Sequence, residues 1–277
     1  MMLATRSAPQ RSTEQTKFWR DPALRMELLR ATYITHSFAR HTHEGYAIGV
    51  IDAGVEEFAY QGATHQATAN NIVIVHPGEV HTGHAGVPDG WKYRMFYPSV
   101  ALLQGELSRS VPYFPQPVIQ DQELAEELRR LHLALESADS RLEADCRFLW
   151  TFSKLLSRYA EHRPQTFGSG LETLAVRQAL DYLSVHYAHA VSLNDLANIA
   201  QLKPLRFLRV FQRATGLPPH SYLVQMRVEQ AKKLLAAGLP IAQAAFDTGF
   251  TDQSHLNRHF KRLVGVTPGQ YVQGCKA

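Results

Sequence analysis

The sequence predicts an α+β chain with a small N-terminal β-barrel, a helical middle segment and a C-terminal all-α domain built from two helix-turn-helix units. Three observations carry this. Between Met26 and Tyr97 short apolar runs alternate with turn residues, after Asp121 leucines recur at helical spacing, and roughly the last hundred residues repeat themselves.

Residues 1–16 are polar and hold no apolar core of signal-peptide length, so they read as a mobile arm. The barrel follows over 17–98. Its strands include Tyr46 to Ile51, closed by Asp52-Ala53-Gly54; Val55 to Tyr60, closed by Gln61-Gly62; and Ile72 to Val75, closed by His76-Pro77-Gly78. Pro98 ends that pattern. Over 99–163 the chain reads as helical: Val100 to Leu107 suits a short helix, and Pro112, Pro115 and Pro117 stiffen a connector. Asp121 is the expected N-cap of a helix reaching Ser137, with Leu124, Leu128, Leu131 and Leu135 along one stripe. A second helix from Ser140 to Glu161 carries Phe148, Leu149, Phe152, Leu155 and Leu156. Both stripes suit packing on the barrel, and one also suits pairing with a second copy in a dimer. A linker over 164–170, containing Gly168-Ser169-Gly170, leads into the repeat at 171–277.

Of 277 residues, 45% are hydrophobic and 19% charged, ordinary for a folded protein of one or two domains. The charge is unevenly placed. Residues 171–277 hold 12 lysines and arginines against 6 acidic residues and residues 1–170 hold 17 against 19, so the net charge of +4 comes from the repeat. A basic face attracts phosphate polyanions. Cys146 and Cys275 are the only cysteines, which argues against a disulfide framework or a cysteine zinc site and suits a reducing cytoplasm. No run approaches the ~18 apolar residues of a membrane span, and no phosphate loop or nucleophile elbow occurs, so neither membrane nor catalytic residues are expected.

In the repeat, Phe211, Gly216, Pro219 and Tyr222 recur 49 positions later as Phe260, Gly265, Pro268 and Tyr271, and Arg209 recurs as Arg258. Upstream, Leu193, Leu196, Ala197 and Leu202 recur at an offset of 48 as Ile241, Ala244, Ala245 and Phe250. Each copy therefore reads as helix, tight turn, helix. Ser192 with Asp195 forms a capping-box start for a helix over Asn194 to Gln201, and Pro204 opens the next helix at about 204–213. Phe207, Val210 and Phe211 are its buried face, leaving Leu205, Arg206, Leu208, Arg209 and Gln212 on the other arcs. In the second copy Asp252 caps a helix over about 253–263, whose Leu256, Phe260 and Leu263 turn inward and whose Gln253, Ser254, Asn257, Arg258 and Lys261 turn outward. Glutamine, asparagine and arginine recognise base edges by paired hydrogen bonds, and leucine covers a thymine methyl. A helix from Pro219 to Leu235, on the order of 25 Å long, would space the two units along a duplex.

These segments, from SLNDLANIAQL through GFTDQSHLNRHFK to GVTPGQY, resemble the DNA-binding domain of AraC/XylS-type transcription regulators over about 171–273. The resemblance implies a seven-helix domain whose two recognition helices enter adjacent major grooves of double-stranded DNA. By position it assigns base reading to Leu205, Leu208 and Arg209 in the first unit and to Gln253, Ser254, Asn257 and Arg258 in the second. Leucine at two of the first three sites departs from the family's polar readers and points to recognition of methyls and groove shape. Arg206 and Lys261 are added as outward cations.

Seven of 14 histidines fall between 36 and 84, namely His36, His41, His43, His65, His76, His81 and His84. His41 and His43 are two apart, hence on one face of a strand. Such residues suit a metal site, an organic effector pocket, or hydrogen-bonded structural roles. RHTHEGYAIGVIDAG and NNIVIVHPGEVHTG also resemble the cupin-like sensor barrel often fused to this kind of DNA-binding domain. Metal-dependent cupins carry a glutamate where Ala47 and Ile48 stand here, so no metal or other cofactor is expected. His41, His43, Tyr46, His81, Trp91 and Arg94 are the expected effector contacts, Arg94 suiting an acidic compound.

The expectation is thus a cytoplasmic, sequence-specific transcription regulator, an activator or a repressor, that senses a small molecule through its barrel, forms a homodimer and acts on RNA polymerase. The rival is a metal-dependent cupin enzyme with a basic helical appendage. The two differ in whether stoichiometric metal accompanies the protein.

Overall fold

Residues 13–106, 111–137, 141–162 and 171–276 are described by the computed structural model. Alternation of buried and exposed side chains makes the first part a sheet. Its strands are β1 (Gln15–Asp21), β2 (Met26–Tyr33), β3 (Phe38–His41), β4 (Ala47–Tyr60), β5 (Ala63–Thr68), β6 (Asn71–Val75), β7 (His81–Ala85) and β8 (Trp91–Tyr97). All pair antiparallel: one side runs in the order β1-β2-β8-β4-β6, while on the other the far half of β4 pairs with β5 and with β7, and β7 carries β3.

β4 belongs to both halves and so closes the barrel. Asp52-Ala53-Gly54, read above as a turn between two strands, is a bend within this single strand. The register shifts between Ile51 and Ala53, and Gly54 takes φ +73°, with room for no Cβ because one would stand 2.0 Å from the Gly90 carbonyl oxygen. A local bulge and a left-handed glycine bend a strand without ending it.

The middle segment is not purely helical. Helix α1 (Val100–Glu106) is followed by short strands β9 (Pro112–Tyr113) and β10 (Val118–Gln120), and β10 returns to pair with β6. Helices α2 (Gln122–Ser137) and α3 (Arg141–Tyr159) come next, then β11 (Glu161–His162), which pairs with β9. Asp121 accepts from the Leu124 N–H, as its N-cap role requires. The leucine stripe of α2 packs with Trp19, Leu28, Ile48, Val50, Ile72 and Phe96 on the outer sheet face, together with Phe148, Phe152 and Leu155 of α3. With both of its faces covered, β6 is buried at all five residues.

The expected mobile arm is shorter than 16 residues. Glu14 accepts from the backbone N–H groups of Ile34, Thr35 and His36, and β1 begins one residue later. The remainder of that arm and the 164–170 linker lie outside the described residues.

Helices α4 (Leu171–His186), α5 (Leu193–Ile199), α6 (Pro204–Thr215), α7 (Pro219–Ala236), α8 (Ile241–Asp247), α9 (Gln253–Val264) and α10 (Pro268–Lys276) complete the chain. These are the seven that the family resemblance implies. The first unit has its own core, in which Phe207, Val210 and Phe211 meet Ala179, Leu183, Leu196 and Leu223. The second does not. Leu256, Phe260, Val266 and Tyr271 belong to one continuous apolar cluster with Leu29, Tyr33, Phe38, Tyr93 and Met95 of the barrel.

Candidate recognition helices and the cleft at the barrel seam

The two helices expected to be recognition helices, α6 and α9, are closed at both ends by local backbone and cap geometry. Ser192 and Asp195 form the reciprocal capping box ahead of α5, Pro204 opens α6, and Asp252 caps α9 by accepting from the His255 N–H. Gly216 and Gly265 end α6 and α9 in left-handed conformations, at φ +71° and +85°.

Leu205, Arg206, Arg209, Gln253, Ser254, Asn257, Arg258 and Lys261 are all exposed, Leu205 to 61% despite its apolar side chain. Leu208 is half-buried instead. It lines an apolar groove with Leu193, Leu196, Pro219 and His220, so part of its side chain packs within the first unit.

The barrel and second unit meet along a polar and apolar seam. Tyr33 donates to the Gly265 carbonyl at 2.8 Å, Tyr271 donates to Glu27 at 2.6 Å, and Phe18 stacks on Tyr271 with ring centroids 4.6 Å apart. Lys232 of α7 lies 3.0 Å from Glu27 and 3.3 Å from Glu229. Burial alone would lower the Lys232 pKa, but the carboxylates of Glu229 and Glu27 outweigh it and hold the ammonium charged. Gln225 accepts from the Thr42 N–H at 3.0 Å, and Lys233 reaches Glu44 at 3.0 Å.

Within this seam is a cleft of about 240 Å³ lined by Glu27, His41, His43 and Tyr97 from the barrel and by Gln225, Lys232, Leu263 and Tyr271 from the helices. Below it an inner pocket continues between Phe38, Glu56, Phe58, His81 and Tyr93, sharing His41, His43, Tyr97 and Leu263 with the cleft. Burial pushes the Glu56 carboxyl up to about 8. Burial also drives the imidazole pKa values down, His41 to about 4, while the Ala39 and His81 carbonyls pull His41 the other way.

The structure therefore brings together His41, His43 and His81 of the expected effector contacts. It does not bring Tyr46, Trp91 or Arg94 to them. Tyr46 faces the outer core and donates to the Pro112 carbonyl. Trp91 is packed among Tyr33 and Tyr93 away from the cleft lining. Arg94 points beneath α2, where Asp52 holds it at 2.9 Å and His132 lies 3.5 Å away, so it is unavailable to an acidic compound in the cleft. Tyr46 and Arg94 lie on the outer face of their strands, whereas Trp91 shares the inner face with Tyr93 and Met95 but stands outside the pocket lining. His76 takes the structural role: its Nε2 accepts from the Phe114 N–H, and its Nδ1 meets the Tyr60 hydroxyl.

Sequence reasoning missed Glu56, Tyr97, Gln225 and Lys232. Glu56 had a signal, because Glu56, Phe58 and Tyr60 alternate at strand spacing and so share the inward face. Gln225 and Lys232 had none, since their partners stand 183 and 205 residues earlier in the chain.

No helix among the described residues is long and apolar enough to cross a membrane. Two family models match the chain, the AraC-like ligand binding domain over residues 24–152 and a helix-turn-helix domain over 196–274. An HTH-type transcriptional regulator of Bacillus subtilis, YbfI, is 32% identical over 243 residues, covering 85% of this chain and 87% of the relative. Among solved structures, apo ToxT of Vibrio cholerae in a variant form aligns at a TM-score of 0.58 and 11% identity, covering 95% of this chain and 97% of that one. ToxT bound to an unsaturated fatty acid aligns at 0.54 and 13%, covering 96% and 97%. Those two show a shared fold. The relatives matched over most of the chain are transcriptional regulators, which sets aside the enzyme alternative. With its ligand-binding barrel, paired helix-turn-helix units and a regulator as relative over most of its length, this DNA-binding chain belongs to the AraC/XylS-type family of transcription regulators.

Proposed function

We propose that α6 and α9 read adjacent major grooves of one operator half-site and that a small organic effector in the seam cleft sets how firmly the barrel holds the second unit. The observation carrying this is that one cleft is walled by barrel histidines and by Lys232 and Leu263 of the DNA-binding half. A ligand there touches both domains. Its binding free energy can therefore differ between seam-closed and seam-open arrangements, which is what a coupled switch requires. ToxT was solved with a fatty acid, and the apolar wall of the inner pocket beneath the cleft, formed by Phe58, Val73, Val75 and Met95, suits the apolar body of a small organic compound.

Base reading is proposed for Leu205, Arg206, Arg209, Gln253, Ser254, Asn257, Arg258 and Lys261, with Leu208 contributing its exposed edge. Homodimerisation through α3 is proposed from Trp150, 69% exposed, and Leu149, 45% exposed, on a helix whose opposite face is fully packed. The cytoplasm is the proposed compartment, and RNA polymerase the proposed protein partner.

The test is fluorescence anisotropy on operator and random duplexes. Arg209→Ala and Arg258→Ala should each cost ~1–3 kcal/mol on the operator and less on random DNA. Equal losses on both would remove base reading. Compounds that bind the protein should shift operator affinity; indifference of operator affinity to every bound compound would remove the switch.

A further inference from the structure

We infer that His41, His43 and His81 bind a divalent first-row transition-metal ion at the inner end of the seam cleft, making the barrel's grip on the second unit responsive to metal. The site is independent of whether an organic effector also binds. What deepens the proposed function is its position.

Three strands' worth of backbone converge the rings. β3 and β7 pair antiparallel with His41 opposite His81, and His43 follows two residues on, where the chain leaves β3 for β4. Ring centroids lie 4.1 Å apart for His41 and His81, 4.8 Å for His41 and His43, and 5.0 Å for His43 and His81. One ring nitrogen from each lies within 4.8 Å of the other two. A tetrahedral ion with nitrogens at 2.0–2.1 Å sets its ligands about 3.3 Å apart, so each nitrogen moves inward by no more than about 0.9 Å to close the shell. Ordinary side-chain adjustment supplies that.

The tautomers also suit ligation. His41 Nδ1 lies 2.7 Å from the Ala39 carbonyl oxygen and His81 Nδ1 lies 3.3 Å from that of Glu79. A carbonyl only accepts, so each Nδ1 carries the proton and leaves an Nε2 lone pair. Backbone carbonyls on the far nitrogen are the support that metal-binding histidines use to fix ring orientation. Three imidazoles select zinc, cobalt, nickel or copper over the oxygen-seeking magnesium and calcium. The missing glutamate at Ala47 and Ile48 leaves one coordination position to water or to a ligand entering from the cleft.

The coupling runs through β3. Phe38, at the start of that strand, packs beside His41 with rings 5.6 Å apart, and a Cβ on Gly265 at the end of α9 would meet the Phe38 ring at 2.9 Å. Drawing His41 toward His81 thus acts on the strand against which α9 rests.

The full-length protein, stripped with chelator, is titrated with Zn²⁺ calorimetrically and with Co²⁺ while its visible absorption is followed. The expected result is one ion per chain with the intense bands of four-coordinate cobalt, weakened at least ~100-fold in His43→Ala and in His81→Ala. His65→Gln, outside the cluster, should bind as the parent does. Far-ultraviolet circular dichroism and melting of each metal-free variant establish that it is folded; for one that is not, His43→Gln replaces the alanine. Zn²⁺ should also raise the melting temperature of the parent and of His65→Gln alone. Substoichiometric binding, or binding undiminished in both cluster variants, overturns the site while leaving an organic effector at the seam untouched. Full binding with no change in hydrogen exchange of α9 and α10 overturns the coupling.

Discussion

Glu27→Gln probes the seam at its most charged point. Glu27 stands 3.0 Å from Lys232 and accepts from Tyr271 at 2.6 Å, and Glu229 gives Lys232 a second carboxylate at 3.3 Å. The amide keeps an acceptor for Tyr271, so the loss falls on one charge-assisted contact, worth ~1.5–3 kcal/mol. Glu229 stays to neutralise the ammonium, which holds the expected loss near ~2 kcal/mol rather than the ~3–5 kcal/mol of a wholly orphaned buried charge. At 1.4 kcal/mol per decade this shifts the docking equilibrium about 30-fold. Hydrogen–deuterium exchange resolves it. Amides of α10 and of the seam side of β1 should exchange about 30-fold faster through undocking, while those of α5 and α6, in a separate core, keep their rates. Unchanged exchange in α10, or acceleration spread evenly over both units, would refute the view that the seam holds the second unit more firmly than the first, which meets the barrel through Arg40 and Val80 at Gly216.

Four further outcomes follow from other parts of the molecule. Gly265→Ala places a Cβ 2.5 Å from the Tyr33 hydroxyl oxygen in a left-handed residue, and should cost at least ~1–2 kcal/mol of stability by chemical denaturation. Ser192→Ala removes the capping box of α5 and should cost ~1 kcal/mol, read as faster exchange confined to the first unit. Trp150→Glu leaves the core untouched and should turn a dimer into a monomer in analytical ultracentrifugation. Finally, burial and then the Arg94 charge depress His132 to about 3, so the unfolded chain takes up its proton below about 6.5 and the folded one does not until about 3. Stability should fall through that window by up to ~1.4 kcal/mol per pH unit, and His132→Phe should flatten this part of the profile in urea titrations.

Local physics made most elements readable. Asp121, Ser192, Asp252 and Pro204 mark helix starts by satisfying or dispensing with end N–H groups, and each marks one here. The 49-residue echo exposed the two units because each must bury the same aromatic, Phe211 or Phe260, in the same place. Strand faces were harder. Arg94 and Tyr46 read as pocket residues because a barrel strand has two faces and the sequence alone does not say which of them turns inward; here both lie on the outer face, Tyr46 in the outer core with α2 and α3 and Arg94 beside His132 of α2. The bend at Gly54 has the composition of a turn, and only the pairing of β4 with strands on both sides distinguishes the two. The seam left no local trace, because complementarity between β1, β2 and α10 is set by partners more than 200 residues apart.

Gly274 sits so close to β1 that a Cβ there would stand 2.2 Å from the Phe18 carbonyl oxygen, while Tyr271 spreads its ring on Phe18 one turn earlier. Cutting the chain at its glycine-serine link would strip this fitted surface bare. An excised C-terminal half would be a sticky fragment, prone to self-association and poor expression, whereas the first unit's face would stay well behaved. Chimeras that borrow these helices for a different sensor would need to carry Phe18 and its flanking strand along with them.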